Sequence, residues 1–339
     1  MKFAVSTHSF LLAVEVDASW RVTDASVLNT GPHYGLALDP QNSRFLAKES
    51  MHGGREMTWY GLSNPHEEIA RDPYPDMVRT HQMAIANGGL YVANTGFNSV
   101  VWTSYDTGVR HEYHVNGARE DVNHLNSVFV SGNQIFALLH NLHGLKLSQV
   151  VVLEHDPESG FSYVGESDLW HSGCHNVFVD EHRLYYNSSQ DGKFVAVDLD
   201  GERVDDMVDF VGHTKGLAVT ADHFFIGVSQ HAEREERGRT QANIKVVDRA
   251  SLREVGDIDL SLDVLPHPAG NVNELRILDL ADHGHVRTER LERDWSSVSL
   301  SRTQPLEYIG ARAKIAAMGV QRFPKRMKRR INGTLAADF

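Results

Sequence analysis

The chain is poor in cysteine, in cationic charge and in uninterrupted apolar runs. Cys174 is the single cysteine among 339 residues, so no disulfide can form within the chain, and such usage suits a reducing compartment. Lys and Arg number 33 against 45 Asp and Glu, a formal net charge of −12. General nucleic-acid binding needs a basic face to meet phosphates, and this balance argues against it. The N-terminal stretch MKFAVSTHSFLLAVEVD is broken by Ser6, Thr7, His8 and Ser9, with Glu15 and Asp17 close behind. It makes a poor signal peptide and no membrane span, so a soluble, cytoplasmic protein is expected. GxSxG, a P-loop, a dinucleotide fingerprint and cysteine pairs are also missing, and His66-Glu67-Glu68 does not match HExxH.

What the chain has instead is repetition. His213 to Asp248 (GHTKGLAVTADHFFIGVSQHAEREERGRTQANIKVVD) holds a histidine, a short apolar strand, a turn, a second strand, a loop with another histidine and a third strand. The same order opens at His33, His81, His124 and near His175. Short strands repeating every 40 to 50 residues or so describe propeller blades. Asp39-Pro40, Asn87-Gly88-Gly89, Ser131-Gly132-Asn133 and Asp200-Gly201 sit where hairpins need turns. Residues 2 to 28 supply three strands without the one that should precede them, and Asn271 to Asp279 supplies a strand without followers. Pairing them in one blade removes an open sheet edge. The expectation is an all-β protein, a six-bladed β-propeller closed by its N- and C-terminal segments, with five or seven blades as the neighbouring counts.

The expected division is a propeller over 1–280, an irregular segment packed on it over 281–310, anchored by Trp295 and Tyr308, and a basic tail over 311–339. That tail carries eight Lys/Arg against one Asp, a balance of +7 that leaves −19 on the rest. It reads as a solvated basic helix, or as a contact for an anionic membrane surface or acidic partner.

Histidine is abundant, with 20 in the chain. In a propeller the start of each innermost strand and the loop between the second and third strands lie on one face, around the channel mouth. The first position holds His33, His81, His124, His175 and His213; the second holds His8, His52, His140, His143 and His231. His124 and His213 lie four residues before their strand cores, and Asn126, His175, Lys215 and Asn273 lie two before, so alternation lets them share the channel. His33 and His81 fall one residue out of register and need a bulge. Convergent imidazoles suit a divalent transition metal, Zn, Fe or Mn. Any one of them can equally hydrogen-bond a neighbouring blade. The expected metal ligands are therefore His124, His175, His213, His81 and His33. Lys215, Glu274 and His231 are the catalytic candidates, and Asn126, Asn273 and His140 the substrate contacts. His231 to Arg239 reads as a mobile charged loop over this face, Cys174 as a buried structural thiol. His182 and His223 fall on the opposite face, and His66, His111, His114, His155, His283 and His285 read as surface residues.

HLNSVFV, CHNVFVD and GHTKGLAV followed by FFIGVSQHAEREERGR resemble a family of bacterial six-bladed propellers of unassigned function with HLNGLA-like and G-x-T-RGLA…FVGLS-like stretches. Lys215 stands where that family tends to show Arg. The resemblance implies the propeller and implies that His124, Asn126, His213 and Lys215 belong to a shared motif, but it supplies no reaction. The layout also looks like that of six-bladed metal-dependent lyases and lactonases, a likeness of fold only. The functional expectation is a metal-dependent lyase or hydrolase acting on a small polar substrate, such as a sugar derivative. The alternative is a non-catalytic scaffold for a protein or glycan partner.

Overall fold

A computed structural model describes residues 1–49, 56–73, 77–141, 146–298 and 300. The described strands form six small antiparallel sheets. Blade 1 runs from His33–Asp39 to Glu68–Pro73, and blade 2 from Met83–Ala86 to Arg110–His114. Blade 3 runs from Leu125–Ser131 to Gly160–Asp168, blade 4 from Cys174–Val179 to Arg203–Asp209, and blade 5 from His213–Val219 to Glu254–Asp259. In blade 6 the innermost strand is Val272–Ile277, paired antiparallel with Lys2–Thr7 (Phe3 opposite Ile277, Val5 opposite Leu275), and Phe10–Val16 and Val22–Thr30 follow outward. The innermost strands touch one another in the cyclic order 1–2–3–4–5–6–1, which makes the molecule a six-bladed β-propeller.

The strands are dictated by local chemistry. Val, Ile, Phe and Tyr dominate runs such as Val150 to Leu153 and Phe224 to Val228, residues that pack well on a pleated surface. Asn87 and Gly88 both take positive φ, at 52° and 69°, the demand of a two-residue hairpin turn. Innermost strands are covered on both faces by neighbouring blades, so Leu125–Ser131 is buried along its whole length. Outermost strands such as Arg203–Asp209 face water.

The core lies between blades. Phe129, Phe178, Tyr185, Phe194 and Phe224 form one aromatic seam through blades 3, 4 and 5, with ring centroids 4.8 to 6.0 Å apart. Each such side chain contributes about 1.5–3 kcal/mol on burial. Blade contact is close enough to exclude a methyl group in places: a Cβ on Gly227 of blade 5 would stand 2.5 Å from Cγ1 of Val272 in blade 6.

The chain then returns through the middle. Val286–Arg287 pairs parallel with the innermost strand of blade 3, and Trp295 sets its ring 4.7 Å from that of Phe136. Trp295 is thus an anchor, as its isolation in a polar segment predicts. Tyr308 and the whole basic tail lie outside the described residues, as do His52 and His143. Among the described residues no helix is long and apolar enough to cross a membrane.

Candidate functional site at the channel mouth

Five innermost strands carry a bulge near their start: between His33 and Leu36, Leu125 and Ser127, His175 and Val177, Thr214 and Leu217, and Val272 and Glu274. Bulges break the two-residue alternation and re-aim side chains. Counting back two residues from Leu36, Met83, Val128, Val177, Leu217 and Leu275, which pair regularly with the next strand of their blades, gives one position per blade. These positions hold Tyr34, His81, Asn126, His175, Lys215 and Asn273.

The aromatic members join in one arc of edge-to-face contacts. His8 meets Tyr34 at 5.4 Å between centroids, Tyr34 meets His81 at 5.3 Å, and His81 meets His124 at 4.9 Å. The arc continues from His124 to His140 at 5.5 Å, His140 to His175 at 4.8 Å, His175 to His213 at 6.2 Å and His213 to exposed His231 at 6.4 Å. Between its two ends lies the turn Arg234–Arg239. This turn is tied down at the rim, with Ser9 Oγ donating to the Gly238 carbonyl (2.5 Å) and the Asn271 N–H to the Arg237 carbonyl (2.8 Å).

Lys215 sits within the arc. It is 9% exposed, with Nζ 3.3 Å from Asn273 Oδ1 and 4.9 Å from the Tyr34 ring centre. Among the described residues no carboxylate forms an ion pair with it. Burial, and secondarily Arg237, lower its pKa to about 7. Burial likewise lowers His8 and His213 to about 3, and His81, His140 and His175 well below their ordinary value, with Lys215 adding to each. These imidazoles are neutral at neutral pH.

Several are fixed in one tautomer by what faces Nδ1. His81 Nδ1 donates to the Arg79 carbonyl (3.0 Å) and to Thr95 Oγ1 (2.8 Å), whose own proton goes to the Leu125 carbonyl (2.5 Å). His213 Nδ1 donates to the Ser189 carbonyl (2.9 Å), and His124 Nδ1 to the Asp121 carboxylate (3.1 Å). An acceptor opposite Nδ1 leaves the lone pair on Nε2.

Below this ring a second polar layer spans the channel. Glu274, 1% exposed, accepts from Gln82 Nε2 (2.8 Å), Asn176 Nδ2 (3.2 Å) and the N–H groups of Leu217 (3.3 Å) and Leu275 (3.1 Å). It also pairs with Arg276 (3.4 Å) and His285 (3.3 Å). Its oxygens are thus engaged by four different blades and by the returning segment, the geometry of a strut. Arg276 continues the column to Asp282 at 3.6 Å.

The structure therefore gathers His81, His124, His140, His175, His213, His231 and Lys215 at one mouth, with Asn273 on Lys215. Asn126 is in the same ring but donates to the Cys174 carbonyl (3.0 Å), tying blade 3 to blade 4. His33 is outside the arc: its Nδ1 donates to the Gly31 carbonyl (2.9 Å), its own carbonyl accepts from Asn273, and Tyr34 takes the channel position because the bulge falls between them and Leu36. Tyr34 escapes a histidine search, and the strand pairing that reveals it is tertiary. Two histidines expected on the surface are buried. His155 is 1% exposed between Tyr91 (2.7 Å) and His111 (3.0 Å), and His285 is carried into the channel, where it hydrogen-bonds Gln82 and Arg276. Cys174 is fully buried, and burial pushes its thiol well above the ordinary range, as suits a structural thiol. His182 is exposed.

A metal finds no ready seat. Among the described residues no three His, Cys, Asp or Glu side chains are grouped to hold one ion; the mouth imidazoles contact one another edge to face instead of converging on a point. A cavity of about 440 Å³ lies at the opposite end of the channel, lined by Leu38, Ile85, Leu278 and Val286 beside Arg276 and Asp282. Its charges pair with one another, whereas at the mouth Lys215 feels Glu274 but forms no ion pair among the described residues, and the buried Nδ1 atoms of His8 and His140 have no partner among them. The chemistry points to the mouth.

Comparison with solved structures shows the fold. A chain in a crystal structure of the nidogen/laminin complex aligns with TM-score 0.59 at 8% identity, over 81% of this chain and 97% of that one. A protein of unknown function from Bacteroides caccae aligns with TM-score 0.57 at 13% identity, over 81% and 97% respectively. No family model and no curated protein matches the chain.

Proposed function

We propose that the channel mouth binds a small polar anion and that Lys215 is its ion-pair partner. One observation carries this reading: a lysine buried in the mouth that forms no ion pair with any carboxylate of the described residues. Burying an unpaired ammonium costs several kcal/mol, and proteins retain such groups where a ligand or a reaction needs them. An anion seated on Nζ supplies the missing charge, with Arg234 and Arg237, whose fields reach Lys215, adding to the attraction at the rim.

The same lysine suits acid–base chemistry. An amine with pKa about 7 exchanges its proton at neutral pH. In an elimination it would take the proton beside the ligand's carboxylate, with the bonding pair passing into the new double bond as the leaving group departs. His231, exposed at the end of the arc, is placed to return a proton to that group. Asn273 orients the amine. No step is assigned to a metal, since the imidazoles are not grouped around one.

A second reading is a scaffold whose mouth face receives a protein partner; one structurally similar chain comes from a nidogen/laminin complex. The two separate by calorimetry with a panel of small carboxylates and phosphates on the wild type and on Lys215→Met, with product analysis by NMR. Saturable binding lost in Lys215→Met supports the small-anion site. Binding that survives the substitution, or none to any anion, overturns it.

A further inference from the structure

We infer that the ligand of this mouth is a polyhydroxylated carboxylate, a sugar acid, because Lys215 demands an anion while the wall around it offers hydrogen-bond acceptors in search of donors. The inference rests on the reading of Lys215 just given and adds the rest of the ligand.

The wall is an inventory of lone pairs. His81, His124 and His213 each commit Nδ1–H to an oxygen that can only accept, or whose proton is already spent. The Nε2 atoms of the neutral His81 and His213 are therefore acceptors, and among the described residues neither has a protein donor. His140, 5% exposed, has an Nδ1 with no partner among the described residues. The two nearby amides are engaged elsewhere: Asn126 gives an amide N–H to the Cys174 carbonyl, and Asn273 gives one to the His33 carbonyl. An acceptor covered by a ligand and left unpaired costs about 1–3 kcal/mol, so a complementary ligand brings several donors on a compact frame. Burial keeps His81 and His213 neutral, which preserves those lone pairs. Hydroxyl groups meet the need: each donates one hydrogen bond and can accept another. A bare hydrophobic acid satisfies Lys215 and leaves the imidazoles empty, and a neutral sugar does the reverse.

The test uses the intact wild-type chain and isothermal calorimetry at pH 7. Its probes are D-glucuronate, D-galacturonate and D-gluconate, with D-glucose and cyclohexanecarboxylate as controls. At least one hydroxy acid is expected to bind at least tenfold more tightly than either control. Cyclohexanecarboxylate binding as tightly as the best hydroxy acid would overturn the sugar-acid assignment and leave the lysine reading standing. Failure of every acid sinks both. His140→Phe keeps a flat ring and removes the lone pair; it is expected to weaken the hydroxy acid about tenfold and leave cyclohexanecarboxylate unchanged. Equal loss for both acids also counts against the assignment.

Discussion

Lys215 of blade 5 and Tyr34 of blade 1 meet across the channel mouth, with the ammonium 4.9 Å from the centre of the phenol ring. The two blades are not neighbours, since blade 6 stands between them. A cation over an aromatic face gains about 0.5–2 kcal/mol, less than a buried ion loses in leaving water. The contact eases the burial of Lys215 without offsetting it.

Lys215→Met is therefore expected to stabilise the unliganded protein. The folded pKa is about 7 against 10.5 for the ordinary lysine, so between those values the unfolded chain holds a proton that the native state lacks. The penalty is complete below pH 7 and fades as pH rises towards 10.5. Tyr34, raised to about 12, stays neutral in the native state through this window. His8, His81, His140, His175 and His213 are neutral too, leaving Arg234, Arg237 and Glu274 as the other charges felt at Nζ. Urea unfolding at pH 7 should show a gain of about 1–4 kcal/mol, shrinking towards pH 10. A loss of stability at pH 7 would contradict the picture.

Acid should unfold this protein early. His8 and His213 are lowered to about 3, and His81, His140, His175 and His285 also lie well below 6.5. As pH falls through 6.5 the unfolded chain takes up protons that the native state refuses, so stability is lost downwards from that value. Each such histidine costs about 2 kcal/mol by pH 5, and six together rival the roughly 5–15 kcal/mol that holds a domain folded. Circular dichroism should record a cooperative transition near pH 5, displaced to lower pH in His213→Phe. Native signal persisting at pH 4 would be incompatible.

Glu274 links Gln82, Asn176, Arg276 and His285 at the channel axis. Truncating it to Ala leaves the Arg276 guanidinium buried with Asp282 alone. Denaturant unfolding of Glu274→Ala should show a loss of about 3–5 kcal/mol, the cost of breaking a buried pair. A change below 1 kcal/mol would mean that the column is not what joins the blades.

The segment after the propeller should behave as part of the core. Trp295 is 4% exposed against Phe136, and Trp295→Ala should cost about 3–5 kcal/mol within a single unfolding transition. Two separate transitions would show that the segment melts by itself.

Much of this was legible in the chain. Strand-turn repeats, the orphan strand at Asn271, the recurrent histidines, buried Cys174 and the anchoring Trp295 are all local or periodic features. They survive translation into structure because alternation and turn chemistry act over a few residues. Other features were hidden because they arise from contacts between distant segments. His285 sits in a polar stretch, and only the return of the chain into the channel buries it. His33 and Tyr34 are adjacent, and a bulge decides which of them lines the mouth.

The amino-acid sequence by itself determined the six blades and the collection of imidazoles on one face, since β-propensity and hydrophobic alternation specify strands and their order brings the same position of each blade to the channel. Only the tertiary structure decided what those imidazoles are. Burial strips them of charge, carbonyls from neighbouring loops choose their tautomers, and the ring closure that pairs Val272–Ile277 with Lys2–Thr7 sets Asn273 against Lys215. Desolvation and hydrogen-bond partnership depend on where every blade ends up, and no stretch of chain contains that by itself.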